Sequence, residues 1–159
     1  MPRRPTINRA QRIDVAIGLI ERHGRYLICR RPRGTIWGGY WEFPGGKQQR
    51  GESPTACLSR ELWEELSLRP RTLRWRCTIR YAYVYGTVVL SVFRCDVAHD
   101  GFHRYPATHV RWVLPARLTR YRFPPANKEL LQKLIAESTI CHRHSCTGVR
   151  VNKWSVRCT

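Results

Sequence analysis

Acidic residues are scarce in this 159-residue chain: 11 Asp and Glu stand against 29 Lys and Arg, a formal charge of +18. Such a surface disfavours cationic partners and draws polyanions, among which charge alone does not choose nucleic acid, nucleotide or anionic membrane. The basic residues are spread along the chain without a compact Lys/Arg block or a nucleic-acid motif, so they read as a general cationic surface with no specific nucleic-acid site. No apolar run approaches the roughly 18 residues of a membrane helix, which excludes a helical span. Met1 to Arg12 is basic but has neither the apolar core nor the cleavage site of a secretory signal. The seven cysteines, an odd number scattered through the chain, do not form a disulfide framework. A soluble protein of the reducing cytoplasm is expected, acting as a monomer. Internal repeats are absent, and the length suits one domain. The expected division is a basic extension over 1–12, a domain over 13–137 and a poorly ordered basic tail over 138–159. The Cys141, His142, His144 and Cys146 cluster in that tail lacks the spacing of paired zinc ligands and is assigned no function.

What is present is a succession of short periodic segments. Ile13, Val15, Ile17 and Leu19 alternate as in a strand, residues 22–25 offer a turn, and Tyr26 to Cys29 completes a hairpin. Gly34 to Gly51 is so interrupted by glycine and Pro44 that it reads as an irregular loop lining something. Ser53-Pro54 starts a helix, carried to about Leu66 by Leu58, Leu62 and Leu66 and stopped by Arg69-Pro70. Two β-rich runs, about 75–84 and 87–97, break near Gly86. Val110 to Val113 predicts a last strand and Asn127 to Ile135 a final helix. The order β-β-loop-α-β-β-β-α makes the chain α/β or α+β.

Five of the eleven acids, Glu42, Glu52, Glu61, Glu64 and Glu65, fall between positions 42 and 65. Glu61, Glu64 and Glu65 at i, i+3 and i+4 project from one face of a helix, where they repel one another unless something neutralises them. Hard oxygen ligands so clustered suit Mg²⁺ or Mn²⁺, which retain waters and share positions with phosphates. A solvated acidic face paired with Arg60 is the alternative that the spacing alone leaves open.

The wider pattern decides between them. Gly46, Glu52 and Arg60-Glu61-Leu62-Trp63-Glu64-Glu65-Leu66-Ser67-Leu68 resemble the Nudix box in every charged position, Ser67 standing where the family has Gly. The resemblance implies a Nudix fold, a mixed β-sheet sandwiched between helices. It further implies a divalent metal, Mg²⁺ or Mn²⁺, held by Glu61, Glu64, Glu65 and the Gly45 carbonyl, and attack of water on a β-phosphorus. Glu61 is then base or ligand, Glu64 shares the catalytic carboxylate duty, Arg60 orients the carboxylates, and Glu52 supports from behind.

Trp41-Glu42-Phe43-Pro44-Gly45-Gly46-Lys47 and Phe123-Pro124-Pro125-Ala126-Asn127 are similar to segments of the MutT-type enzymes, the 8-oxo-dGTP diphosphatases that sanitise the nucleotide pool. By that resemblance the substrate is a nucleoside triphosphate. Arg31, Glu42, Phe43, Pro44, Gly45, Tyr83 and Asn127 are the residues expected to bind it, the Asn127 amide reading the oxidised base with a donor and an acceptor in one plane. Helix capping is the plainer role for Asn127, and an exposed surface arginine the plainer one for Arg31. The chain departs from the family before Trp112, where residues 107–111 supply no carboxylate. Asp96 or Asp100 substitutes, His109 acts as a base, or the box carboxylates suffice. Another nucleoside-diphosphate-linked substrate, or a basic nucleic-acid-binding protein on a Nudix fold, are the competing functions.

Overall fold

In the computed structural model, residues 11–98 and 109–144 are described. The chain divides into two compact units, Met1–Ile20 with Phe43–Tyr105, and Glu21–Glu42 with Pro106–Thr159. The expected N-terminal extension up to residue 10, Asp100, and the tail from residue 145 lie outside the described residues.

The first unit is a mixed sheet carrying one helix. Strand β1 (Arg12–Arg22) runs parallel to β6 (Gly86–Val97), from Arg12 opposite Thr87 to Ile20 opposite Cys95. On its other side β1 takes the short antiparallel β4 (Gly45–Lys47), with Ile17 opposite Gly45. The long β5 (Pro70–Tyr83) pairs antiparallel with β6 and forms the far edge, with register shifts at Pro70/Thr72 and Trp75/Cys77. Helix α1 (Pro54–Leu66) buries Cys57, Leu58, Leu62 and Leu66, the stripe that its leucine spacing requires. A Cβ at Gly18 would lie 2.7 Å from Cys95 Sγ and 3.4 Å from Leu58 Cδ1, which places α1 on the Gly18 and Cys95 face of the sheet.

Both ends of α1 are built locally. Ser53 accepts a hydrogen bond from the Ala56 amide at 3.1 Å, and Pro54 occupies the position whose amide needs no partner. At the other end Ser67 sits in the left-handed region at φ 53° while its N–H donates to the Trp63 carbonyl at 2.9 Å. A left-handed L-residue costs about 1–2 kcal/mol, part of which glycine gives back through its looser unfolded chain. Ser67→Gly is therefore expected to stabilise by about 0.5–1 kcal/mol, read as a rise of about 2 °C in Tm by calorimetry. No rise would mean that the serine hydroxyl compensates its backbone.

In the second unit the end of β1 forms a hairpin with β2 (Arg25–Arg30), Glu21 facing Tyr26. His23 and Gly24 both take positive φ, the two-residue turn that matches strand twist. Strand β2 lies between β3 (Trp41–Glu42) and β7 (Val110–Val113). Two 3-10 turns, Pro115–Arg120 and Pro125–Asn127, lead into α2 (Lys128–His144), whose Leu130 and Leu134 are buried, as is Leu118 in the first turn.

Three boundaries differ from the sequence expectation. Residues 34–51 contain β3 and β4, because partners already ordered in β1 and β2 recruit short segments that carry no β-propensity of their own. Strand β5 begins at Pro70, proline being acceptable as the first residue of an edge strand. Helix α2 continues past Ile135 to His144, with the Ser138 and Thr139 hydroxyls donating back to the Ile135 carbonyl at 2.7 and 3.1 Å. No helix among the described residues is long and apolar enough to cross a membrane. The described cysteines, Cys29, Cys57, Cys77 and Cys95, are free thiols.

Candidate active site

The acidic helix is organised by one arginine. Arg60 donates from Nε to Glu52 Oε1 at 2.8 Å and from one terminal nitrogen to Glu52 Oε2 at 3.0 Å, a two-pronged grip. Its other terminal nitrogen donates to Glu61 Oε1 at 2.8 Å and to Glu64 Oε2 at 3.1 Å. A further bond to the Lys47 carbonyl at 3.2 Å ties the fan to β4. Helical spacing alone pairs Arg60 with Glu64; the loop ahead of α1 brings in Glu52. That loop is pinned by Gln48, whose amide nitrogen donates to the Glu52 carbonyl at 2.9 Å, and by the Gln49 N–H, which donates to Glu52 Oε2 at 2.9 Å.

These bonds hold the Glu52 carboxyl far below its ordinary value of 4.5, at about 2, through Arg60 first and the Gln49 amide second. The same carboxylates push the Arg60 guanidinium upward. A carboxyl lowered on folding stabilises above its unfolded value and loses that contribution as pH falls through the folded one. In chelator, the gap in urea midpoint between wild type and Glu52→Gln is expected to be full at pH 6 and to close between about pH 4.5 and pH 2. A gap independent of pH would show that packing, not charge, is what Glu52 contributes.

Gly46 makes room for the central carboxylate. A Cβ there would stand 2.5 Å from Glu61 Oε1 and 2.6 Å from Oε2, so the Glu61 carboxyl lies flat on the Gly46 backbone. Below it Cys57 Sγ donates to the Gly46 carbonyl at 3.4 Å. The Cys57 thiol is pushed up to about 11, by burial first and then by Glu52, and so stays a neutral donor. Gly45 is fixed more severely, with φ 140° and a hypothetical Cβ running into the Ala16 carbonyl.

A hard divalent cation fits this arrangement. Among the described residues no three His, Cys, Asp or Glu side chains form a ready metal cage. Mg²⁺ needs none, because one or two carboxylates suffice when waters and substrate phosphates complete its shell. Glu61 in its glycine cradle and Glu64, both within reach of the same guanidinium, are the pair that would hold it. Glu65 follows Glu61 by one turn, with its side chain exposed.

The other expected residues are placed as follows. In the first unit Phe43 and Pro44 are core side chains, and the Pro44 carbonyl accepts from the Gly18 amide at 2.8 Å, so neither offers a side chain to a ligand. Tyr83 is the middle ring of a three-tyrosine ladder, 4.7 Å from Tyr81 and 4.8 Å from Tyr85. Asp96 accepts from Thr72 at 2.5 Å and Arg74 at 3.0 Å, which lowers its carboxyl and commits it to the sheet surface. In the second unit Arg31 is no loose surface arginine: it forms an ion pair with Glu42 and donates to the Ile36 carbonyl at 3.1 Å. The His109 carbonyl accepts from the Arg30 amide at 2.8 Å.

Asn127, at the end of the second 3-10 turn, is only 7% exposed. Its backbone N–H donates to the Pro124 carbonyl at 3.0 Å, which holds the residue at the start of α2. Sequence reasoning missed Cys57 and the Gln48–Gln49 clamp, whose only signal was their position between Gly46 and Arg60.

The sequence profile described as NUDIX domain matches residues 15–133. An 8-oxo-dGTP diphosphatase of Haemophilus influenzae is 33% identical over 130 residues, 79% of this chain and 93% of its own. A CTP pyrophosphohydrolase of Escherichia coli is 30% identical over 125 residues, covering 78% and 92%. Among solved structures, the E. coli ORF135 protein superposes with a TM-score of 0.67 at 28% identity over 82% of this chain and 93% of that one. MutT, in a study of the enzymes of Aliivibrio salmonicida and Vibrio cholerae, superposes with a TM-score of 0.61 at 29% identity over 80% and 99%. The chain belongs to the Nudix family and is a pyrophosphohydrolase of MutT type. Enzymes of this family act on nucleotide substrates and generally use divalent metals such as Mg²⁺.

Proposed function

We propose that this enzyme hydrolyses 8-oxo-dGTP and related oxidised purine nucleoside triphosphates to the monophosphate and pyrophosphate, a nucleotide-pool sanitation reaction of the cytoplasm carried by residues 13–137. The observation that supports the oxidised-purine reading is Asn127. It is a polar side chain only 7% exposed, and its amide carries a donor and an acceptor in one plane, the pair that a purine edge can match. Arg31, kept in place by Glu42, and Tyr83 are the further residues assigned to nucleotide binding.

Glu61, Glu64, Glu65 and the Gly45 carbonyl would hold Mg²⁺ or Mn²⁺, which when bound neutralises phosphate charge and acidifies water. Arg60 engages Glu61 at Oε1, and Oε2 makes no hydrogen bond among the described residues. Oε2 is thus the oxygen to accept the proton of the attacking water. The new bond forms from the water oxygen to the β-phosphorus, and the bond from that phosphorus to the α-bridging oxygen breaks, releasing the monophosphate. With Asp96 committed to Thr72 and Arg74, the box carboxylates carry the proton transfer without a further acid.

A second reading, hydrolysis of another triphosphate such as CTP, draws on the CTP pyrophosphohydrolase relative, which is nearly as similar as the 8-oxo-dGTP diphosphatase. Pyrophosphate release from 8-oxo-dGTP, dGTP and CTP, with Mg²⁺ and with chelator, separates the two. Metal-dependent turnover with the highest kcat/KM on 8-oxo-dGTP is expected. Asn127→Ala is expected to lower that value by about 10- to 100-fold and the dGTP value much less. Equal losses on both would remove the base-reading role, and a preference for CTP would move the substrate.

A further inference from the structure

Between Glu65 and Asp96 the chain carries no acid. Residues 66–95 hold six arginines, Arg69, Arg71, Arg74, Arg76, Arg80 and Arg94, and no lysine. Most of them lie in or beside β5, the edge strand of the first unit's sheet. Pairing with β6 sorts this strand into two faces. Trp75 stands opposite Phe93, Thr78 opposite Ser91 and Arg80 opposite Val89, on the face that shares Cys95 and therefore α1.

The helix has two flanks above that face. Glu61 and Trp63 adjoin the buried Leu62 and project about 100° to either side of it. Glu61 lies on Gly46 of β4, and β4 and β5 are opposite edges of the sheet, so Trp63 looks toward β5. Trp63 is 49% exposed and Trp75 63% exposed, with the Arg69 guanidinium 4.6 Å above the Trp63 ring. Two acids of this unit are committed elsewhere. Asp14 is taken by Arg12 at 2.8 Å, and Asp96 opposes Thr72 on the other face, where Arg74 holds it.

We propose that this flank of α1, on the side of Trp63 away from Glu61, is a binding surface for single-stranded nucleic acid, with bases on Trp63 and Trp75 and phosphates on Arg69 and Arg80. The inference stands apart from the catalytic reading. Exposed indoles need a flat apolar partner, and arginine presents a planar fork to phosphate where lysine presents a point charge. A duplex keeps its bases stacked on one another, and an acidic peptide satisfies the arginines but leaves the tryptophans in water. A flexible strand supplies both charge and free π-faces.

The test is fluorescence anisotropy of a labelled oligothymidine of about 20 nucleotides with the full chain, in chelator, at low and high salt. Expected are saturable binding that weakens steeply with salt, and quenching of tryptophan emission. Trp75→Ala and Arg80→Ala should each weaken binding about 10-fold while Tm and kcat on a nucleoside triphosphate stay unchanged. Wild-type affinity in both variants, the absence of binding at low salt, or displacement of the strand by polyglutamate as readily as by unlabelled strand would each overturn the proposal. The polyglutamate result would reduce the surface to bulk charge.

Discussion

Glu61→Gln is expected to lower kcat by about 10³-fold or more with KM moved only a few-fold, and Glu64→Gln to lower it less. The ranking comes from geometry. The Glu61 side chain is 16% exposed, lies on the Gly46 backbone and is bonded to Arg60, whereas that of Glu64 is 56% exposed and meets Arg60 at 3.1 Å. A pre-positioned carboxylate loses nothing to reorganisation when charge develops, while an exposed one is partly solvated and can be replaced by water. Glutamine keeps the volume of glutamate and can still face Arg60 with its carbonyl oxygen, so the fold should persist and Tm change by only a degree or two. Single-turnover rates of pyrophosphate release on both variants at saturating Mg²⁺, beside a Mn²⁺ titration followed by electron paramagnetic resonance, separate the possible roles. A loss of rate at unchanged Mn²⁺ affinity identifies Glu61 as proton acceptor, and a parallel loss of both identifies it as ligand. A larger defect in Glu64→Gln than in Glu61→Gln would exchange the two assignments.

The carboxylates were readable from the sequence because a helix imposes a fixed period, and three acids at i, i+3 and i+4 have little freedom in where they go. The leucine stripe and the Ser53-Pro54 start were readable for the same reason, both being local. What holds the carboxylates was not. The Arg60 to Glu52 grip spans eight residues and depends on a loop whose shape is set by Gln48 and Gln49. The Arg31 to Glu42 pair depends on β2 lying beside β3, a pairing that the glycine-rich composition of residues 34–51 conceals. Asn127 was found by resemblance, but the feature that gives it weight, the burial of a polar side chain, exists only once α2 and the turn before it are folded.

Gly46→Ala is expected to cost activity about 10²-fold or more and to cost little stability, a combination that distinguishes the cradle from an ordinary packed glycine. Gly46 is not among the glycines with positive φ, so alanine meets no backbone strain there. Its methyl group would meet the Glu61 carboxylate, 2.5 Å from Oε1, and a side-chain end of this kind can swing away. Swinging away separates Glu61 from Arg60 and from its place over the Gly46 backbone, and a displacement of about 1 Å at a reacting group is enough for a loss of this size. Gly45→Ala is the control. That residue has φ 140°, and its added methyl would meet the Ala16 carbonyl of the paired strand, which cannot move without breaking the sheet. It should lose about 2 kcal/mol or more of stability by chemical denaturation. If Gly46→Ala unfolds as readily as Gly45→Ala, the glycine pair is a matter of strand packing. If it folds normally, binds Mn²⁺ weakly and turns over slowly, the missing Cβ at Gly46 is what positions the Glu61 carboxylate for the reaction.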